Sequence, residues 1–272
     1  MLICRLSIES LRPLPKAFKM ELFSQIHGEG EVLIIMHGLF GMSDNWQSLG
    51  RKWAEDYQVH LLDMRNHGRS PHSDGFSYEL MADDLLDYLD QKGIEKAHIL
   101  GHSMGGKVAM LFAVLNPERT DKLIIADIAP KAYQPHHGEI IAALESLDLS
   151  QIRKRSEANE QFGPDLLPGV RQFLLKNLYW VNKEEMAWRF NLSVIAREIQ
   201  KVGEGLPPNA YFDGPCLFLR GGNSWYIEDQ DLDLILSHYP EAELQTIANA
   251  GHWLHAENPL DFFAAVSEFL SA

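Results

Sequence analysis

The chain has 272 residues, enough for one large or two ordinary domains whose core needs no disulfide or metal staple. Apolar residues make up 46% and charged residues 23%, the proportions of an ordinary globular protein, which excludes a disordered, collagen-like or coiled-coil chain. With 24 Lys and Arg against 38 Asp and Glu the formal net charge is −14, a field that repels polyanions and argues against nucleic-acid binding.

In chain order, residues 1–19 stand apart, because Arg5, Arg12, Lys16 and Lys19 face Glu9 alone and prolines occupy positions 13 and 15. They bear a slight likeness to a transit peptide and read as an unpacked extension ahead of Met20. From Met20 onward short apolar runs alternate with amphipathic stretches, the pattern of β/α units feeding a mostly parallel sheet. Strands are expected over 32–36, 59–64, 97–100, 122–126, 215–219 and 244–248, and helices over 46–55, 78–92, 105–115, 231–238 and 259–270. Lys92-Gly93 and Asn116-Pro117 stop helices, and Asn258-Pro259 starts the last one. The longest apolar run, 108–115, has eight residues where a bilayer span needs about 20, so no membrane span is expected.

Residues 131–209 break the alternation with helical periodicity and no convincing strand. They hold ten basic and ten acidic residues, so this stretch is neutral while the remainder carries the whole −14. It reads as a helical lid inserted into an α/β core formed by 20–130 and 210–272. Phe173, Trp180 and Trp188 within it are candidate pocket walls, although aromatics at helical spacing more often pack than bind. Of the two cysteines, Cys4 and Cys216, the second lies in an apolar run and reads as a buried small hydrophobe. Nothing asks for an oxidising compartment, and a cytoplasmic location is the expectation.

The chemistry concentrates in three loops. Gly101-His102-Ser103-Met104-Gly105 lies between an expected strand and an expected helix, where a serine is held in a strained turn with its hydroxyl projecting. Ser103 is therefore the candidate nucleophile. His37-Gly38-Leu39-Phe40-Gly41 follows the 32–36 strand and supplies a glycine-rich loop, so the backbone amides of Leu39 and Met104 are the candidate oxyanion donors. His37 itself reads as an anchor of that loop. A general base should come from a histidine after the last strand, which selects His252 in Asn249-Ala250-Gly251-His252-Trp253. His255, His136, His137 and His102 have weaker claims. None of these histidines is backed by the Cys or Asp cluster that a metal site requires, so neither metal nor cofactor is expected.

These elements in this order resemble the α/β-hydrolase superfamily over Met20 to the end of the chain. A fourth stretch, Asp63-Met64-Arg65-Asn66-His67-Gly68-Arg69-Ser70, is similar to the family's Asp-x-Arg-Gly-His-Gly-x-Ser loop, with Asn66 in place of glycine. That loop is mainly structural in the family. His-Gly-Leu-Phe-Gly, Arg-Asn-His-Gly, Gly-His-Ser-Met-Gly-Gly-Lys, Asp-Ile-Ala-Pro and Gly-Gly-Asn-Ser together look like the YbfF-type bacterial acyl esterases. The resemblance implies an α/β-hydrolase fold, a mostly parallel central sheet with helices on both faces. It also implies a serine hydrolase that cleaves small-molecule carboxylic esters through an acyl-enzyme. The neutral lid and acidic core favour neutral substrates of short to medium acyl length. Thioesterases, carbon–carbon bond hydrolases and perhydrolases share the same triad, and a ligand receptor that retains the pocket is the alternative from another class.

The family usually places its acid after the seventh strand in a Gly-x-x-Asp setting, but here that stretch is Arg220-Gly221-Gly222-Asn223-Ser224-Trp225. Serine cannot supply a fixed negative charge. Asp127 ends the apolar 122–126 strand, where a carboxylate is costly to desolvate unless it finds partners. Some lipases of this fold draw their acid from that sixth strand. Asp127 is accordingly the expected acid with Ser224 as an auxiliary hydrogen-bonding group, and Asp229 and Glu228 are its rivals.

Overall fold

The computed structural model describes residues 19–134, 137–163 and 166–272. Residues 1–18 of the 1–19 extension, with Cys4, and His136 lie outside the described residues. Seven strands form the main sheet: β1 (Ser24–His27), β2 (Val32–Met36), β3 (Gln58–Leu62), β4 (Ala97–His102), β5 (Thr120–Ala126), β8 (Cys216–Gly221) and β9 (Ala242–Ile247). Their order is β1-β3-β2-β4-β5-β8-β9, parallel throughout except for β1, which runs antiparallel along β3. Two further strands, β6 (Leu178–Trp180) and β7 (Met186–Trp188), pair antiparallel as a separate hairpin.

The strands are continuous apolar runs because both faces of the sheet are covered. Ile34 and Met36 of β2 join Ile99, Leu123 and Ile125 on one face, beneath the helices Tyr78–Lys92 and Met104–Leu115. Leu33 and Ile35 join Leu100, Ile124 and Leu217 on the other, against Trp46, Trp53 and Phe262. The alternation along each strand thus feeds two cores at once.

After β2 the chain moves outward to β3, then crosses back to lay β4 on the other side of β2. That reversal opens a crevice between the loops following β2 and β4, where ligands of open α/β sheets bind. Backbone strain gathers at the same edge. Phe40, Asn66, Ser103, Asp127 and Asn249, the described residues other than glycine with positive φ, all follow the carboxyl ends of main-sheet strands.

Buried histidines fix two of these loops. His37 Nδ1 donates to Gly38 O (2.8 Å) while its Nε2 accepts from the Met64 amide (3.0 Å). His67 Nδ1 donates to Arg65 O (3.0 Å) and its Nε2 accepts from the Phe40 amide (3.1 Å). Each ring is needed neutral, and burial lowers His37 to about 4 and His67 to about 3. Asn66, at φ 63°, takes the left-handed conformation that Asn tolerates best after glycine, which explains its substitution in the loop motif. Arg65 makes a bidentate pair with Asp84 (2.5 and 2.7 Å) in which both residues are buried.

Between β5 and β8 lie the helices Gly138–Glu145, Arg155–Gln161, Pro168–Leu175 and Leu192–Val202 together with the β6–β7 hairpin. The hairpin corrects the strand-free expectation for 131–209: three-residue strands are too short for a period of two to stand out from a helical pattern. β1 carries no strand signal either, since Ser-Gln-Ile-His contains no apolar run. The segment is tied to the sheet edge by Asn177 Nδ2 donating to Phe40 O (2.8 Å) and by the Asn191 amide donating to Asn66 O (2.9 Å). Both of its ends are held by buried Lys107, whose Nζ donates to Lys131 O (2.6 Å) and Glu204 O (3.0 Å).

Truncating one member of the Arg65–Asp84 pair leaves an uncompensated buried charge. Asp84→Ala should therefore lower unfolding free energy by about 3–5 kcal/mol, measured by urea titration. A second expectation concerns pH. His37 and His67 stay neutral in the fold while the unfolded chain takes up protons near 6.5, so unfolding binds protons between that value and about 4. Stability is full above the unfolded pKa and falls as pH drops below it, so the urea midpoint should be lower at about pH 5 than at about pH 7.

Candidate active site

Ser103 sits between β4 and the helix Met104–Leu115 with φ 52° and ψ −116°, a conformation that strains any side-chain-bearing residue. Its amide donates to Ala126 O (3.0 Å) and its carbonyl accepts from the Lys107 amide (3.0 Å). Gly101 and Gly105 make the turn possible: a Cβ on the first would collide with the Gly105 carbonyl, and one on the second with the carbonyls of Met36 and His37. The spacing of the motif is thus a packing requirement between strand, helix and the loop after β2.

Three carboxyl-end loops converge on this serine. His252, after β9, places Nε2 3.0 Å from Ser103 Oγ and Nδ1 2.8 Å from Asp127 Oδ2. Asp127, the residue after β5, is fully buried. Its Oδ1 accepts from the Gly221 amide (2.9 Å), and its Oδ2 also accepts from Ser224 Oγ (2.5 Å). Ser224 Oγ in turn accepts from the Tyr226 amide (3.3 Å). With Nδ1 donating to the carboxyl group, His252 Nε2 is left as the acceptor that faces the serine hydroxyl.

The two rivals for the acid lie elsewhere. Asp229 has a side chain 92% exposed and paired with Arg220 (2.5 Å), and Glu228 is half exposed beside Lys131 (3.7 Å). Surface solvation suits both, and neither approaches the imidazole. The competing histidines are occupied too. His102 Nε2 donates to His252 O (2.8 Å), and His255 is buried with its ring stacked on Trp46 at 4.1 Å. Burial lowers His255 to about 3.

In the loop after β2, the Phe40 amide is engaged by His67 and the Gly41 amide by Gly38 O. Leu39 borders the same crevice as Ser103, the residue that precedes the Met104–Leu115 helix. The positive end of that helix faces the same crevice.

A cavity of about 470 Å³ opens over Ser103, bordered by Leu39, Phe173, Trp225, Tyr226, His252 and Trp253 among others. Phe173, on the helix Pro168–Leu175, meets Trp253 at 5.4 Å between ring centroids. The other two aromatics expected in the wall do not reach it. Trp180 ends β6 and is 45% exposed over a separate surface groove, whereas Trp188 is buried and stacks on Phe190 at 5.3 Å. Both lie on one face of the hairpin, Trp188 opposite Leu178 and Trp180 opposite Met186 at the end nearer the connecting turn. Tyr226, Trp225 and Trp253 take that part of the wall instead. Tyr226 stacks on the His252 ring at 3.8 Å and Trp225 stacks on Tyr226 at 4.4 Å. Their signal in the sequence is adjacency to Ser224 and His252. Among the described residues no His, Cys, Asp and Glu group could hold a metal ion, and no helix is long and apolar enough to cross a membrane.

Residues 31–259 match the family model for the alpha/beta hydrolase fold. The chain is 40% identical over 243 residues to "Esterase YbfF" of Escherichia coli, covering 88% of this chain and 92% of that one. It is 37% identical over 272 residues to "sn-1-specific diacylglycerol lipase ABHD11" of Mus musculus, covering 96% and 87%. A solved structure, "Marine microorganism esterase", superimposes with a TM-score of 0.88 at 42% identity over 92% of this chain and 99% of that one. The crevice at the strand reversal, the strained serine turn and these matches agree, and the chain belongs to the α/β-hydrolase family.

Proposed function

We propose that this protein is a serine hydrolase that cleaves neutral carboxylic esters of short to medium acyl length through an acyl-enzyme, with residues 131–209 serving as its lid. The observation that carries the reading is the unbroken relay from Ser103 Oγ through His252 to Asp127, with contacts of 3.0 and 2.8 Å. Ser103 Oγ attacks the ester carbonyl as His252 Nε2 takes the hydroxyl proton. The amides of Leu39 and Met104 stabilise the oxyanion, and the alkoxy bond breaks as His252 returns the proton to the leaving oxygen. Water then attacks the acyl–serine bond, giving its proton to His252, and the carboxylic acid departs as Ser103 regains its hydrogen. Asp127 holds the imidazole in one tautomer and stabilises its charged form. Ser224, which occupies the family's usual acid position, orients that carboxyl group. A cavity of about 470 Å³ with aromatic walls suits a small apolar ester.

Ser103→Ala should fold normally and lose about 10⁶ in turnover on p-nitrophenyl acetate. Asp127→Asn should lose about 10⁴ because the wrong tautomer is then favoured. Asp229→Asn should match the parent, and Ser224→Ala should fall between the two. Full activity in Asp127→Asn would reject the assigned acid. His252→Ala should also lose most of the turnover while His255→Ala keeps it; the reverse would move the base to His255.

A further inference from the structure

Ser103 borders two cavities of very different size. The larger, about 470 Å³, is also lined by His252 and Trp253. The smaller, about 20 Å³, also borders Ser103 and is lined by Met104, Ile128, Val202, Tyr78, Tyr133 and Tyr226 among others, His137 and Tyr226 bordering both cavities. His252 lines only the first. Gln134 and His137 are the small cavity's polar lining residues, and two of its tyrosine hydroxyls are already engaged. Tyr78 Oη donates to Val202 O (2.7 Å), and Tyr133 Oη donates to Tyr226 O (2.6 Å) while accepting from the Ala129 amide (2.8 Å).

The four groups on a tetrahedral reacting carbon must each find a direction. One is the bond to Ser103 Oγ, and another is the oxyanion at the Leu39 and Met104 amides. The leaving oxygen must point at His252 Nε2, because that atom protonates it, so the alcohol portion extends into the cavity that His252 lines. The acyl substituent takes the remaining direction. We infer that the small cavity is the acyl subsite and the large one the alcohol subsite, making the enzyme selective for acetyl-sized acyl groups on bulky apolar alcohols. This rests on the ester-hydrolase reading above and narrows it. A volume of about 20 Å³ accommodates little more than a methyl group or one water. Longer acyl chains must displace Ile128 or Val202, and a close-packed wall resists one extra methylene by about tenfold or more.

Hexyl acetate and ethyl hexanoate test the assignment, because they are isomers that differ only in which side of the ester is long. With the full chain in a pH-stat assay, hexyl acetate should show kcat/KM at least about tenfold above ethyl hexanoate. Val202→Ala, which removes two methyl groups from the small cavity's wall, should raise ethyl hexanoate relative to hexyl acetate by about tenfold. Ile128→Val, a milder deletion, should move the same ratio in the same direction. Equal rates on the two isomers, preference for ethyl hexanoate, or a ratio that neither variant moves would overturn the assignment while leaving ester hydrolysis standing. Turnover of neither isomer nor of p-nitrophenyl acetate would instead overturn the hydrolase reading on which it rests.

Discussion

A carboxyl group removed entirely from water has to be satisfied by donors that the fold itself delivers, and Asp127 is that group here. Its partners come from three separate places: the Gly221 amide at the end of β8, the Ser224 hydroxyl in the following loop, and His252 Nδ1 after β9. The β5-β8-β9 adjacency is what brings them together, since β8 and its loop contribute two contacts, and the loop after β9 one, to the side chain that follows β5. Removing any of the three would leave a buried acceptor short of a partner, a deficit of about 1–3 kcal/mol or more. The constraint that places the imidazole beside Ser103 is therefore also one that closes this end of the sheet.

The same edge carries the strain of five positive-φ residues that lack glycine's freedom. Ser103, Asp127 and Phe40 are each over-determined by what surrounds them. Ser103 is bracketed by backbone bonds to Ala126 and Lys107, the Asp127 amide donates to Leu219 O (2.8 Å), and Phe40 is held through its amide by His67 and through its carbonyl by Asn177. The interior of the sheet, by contrast, is regular and apolar on both faces. Stability resides in the two cores, and the conformational cost is confined to the rim where chemistry needs side chains to project.

Histidine is common around this site, and hydrogen bonding separates the rings by role. His37 and His67 each accept a backbone amide and donate to a carbonyl, which fixes them neutral and makes them braces for the loops after β2 and β3. His102 donates to the carbonyl of His252, and His255 is stacked against Trp46, so both support the backbone and packing behind His252. His252 alone combines a carboxyl partner on one nitrogen with a serine hydroxyl on the other, and its side chain is 23% exposed. His37, His102 and His255 border the same cavity, so the pair of partners on its two nitrogens is what distinguishes His252.

Local sequence determined much of this protein: the apolar runs that become β2, β4, β5 and β8, the helices 78–92 and 259–270 with their flanking Gly93 and Asn258-Pro259, and the serine turn with its small residues. These are legible because a buried parallel strand and a tight strand-to-helix turn impose their requirements on adjacent residues. The loop bearing His252 was legible for the same reason, as the first histidine after the last strand. Tertiary structure decided the rest. Asp127 could be nominated from its position at a strand end, but the choice over Asp229 and Glu228 depends on the spatial order of β5, β8 and β9, which no local pattern encodes. Trp180 and Trp188 share the composition of a pocket wall with Phe173, yet both sit on one face of a short hairpin, where Trp188 packs on Phe190 and Trp180 stands exposed toward the turn end. The two cavities beside Ser103 are bounded by residues as far apart in the chain as Tyr78 and Val202. Spacing along a chain constrains neighbours, whereas the volume left between distant side chains is fixed only when the whole core has packed.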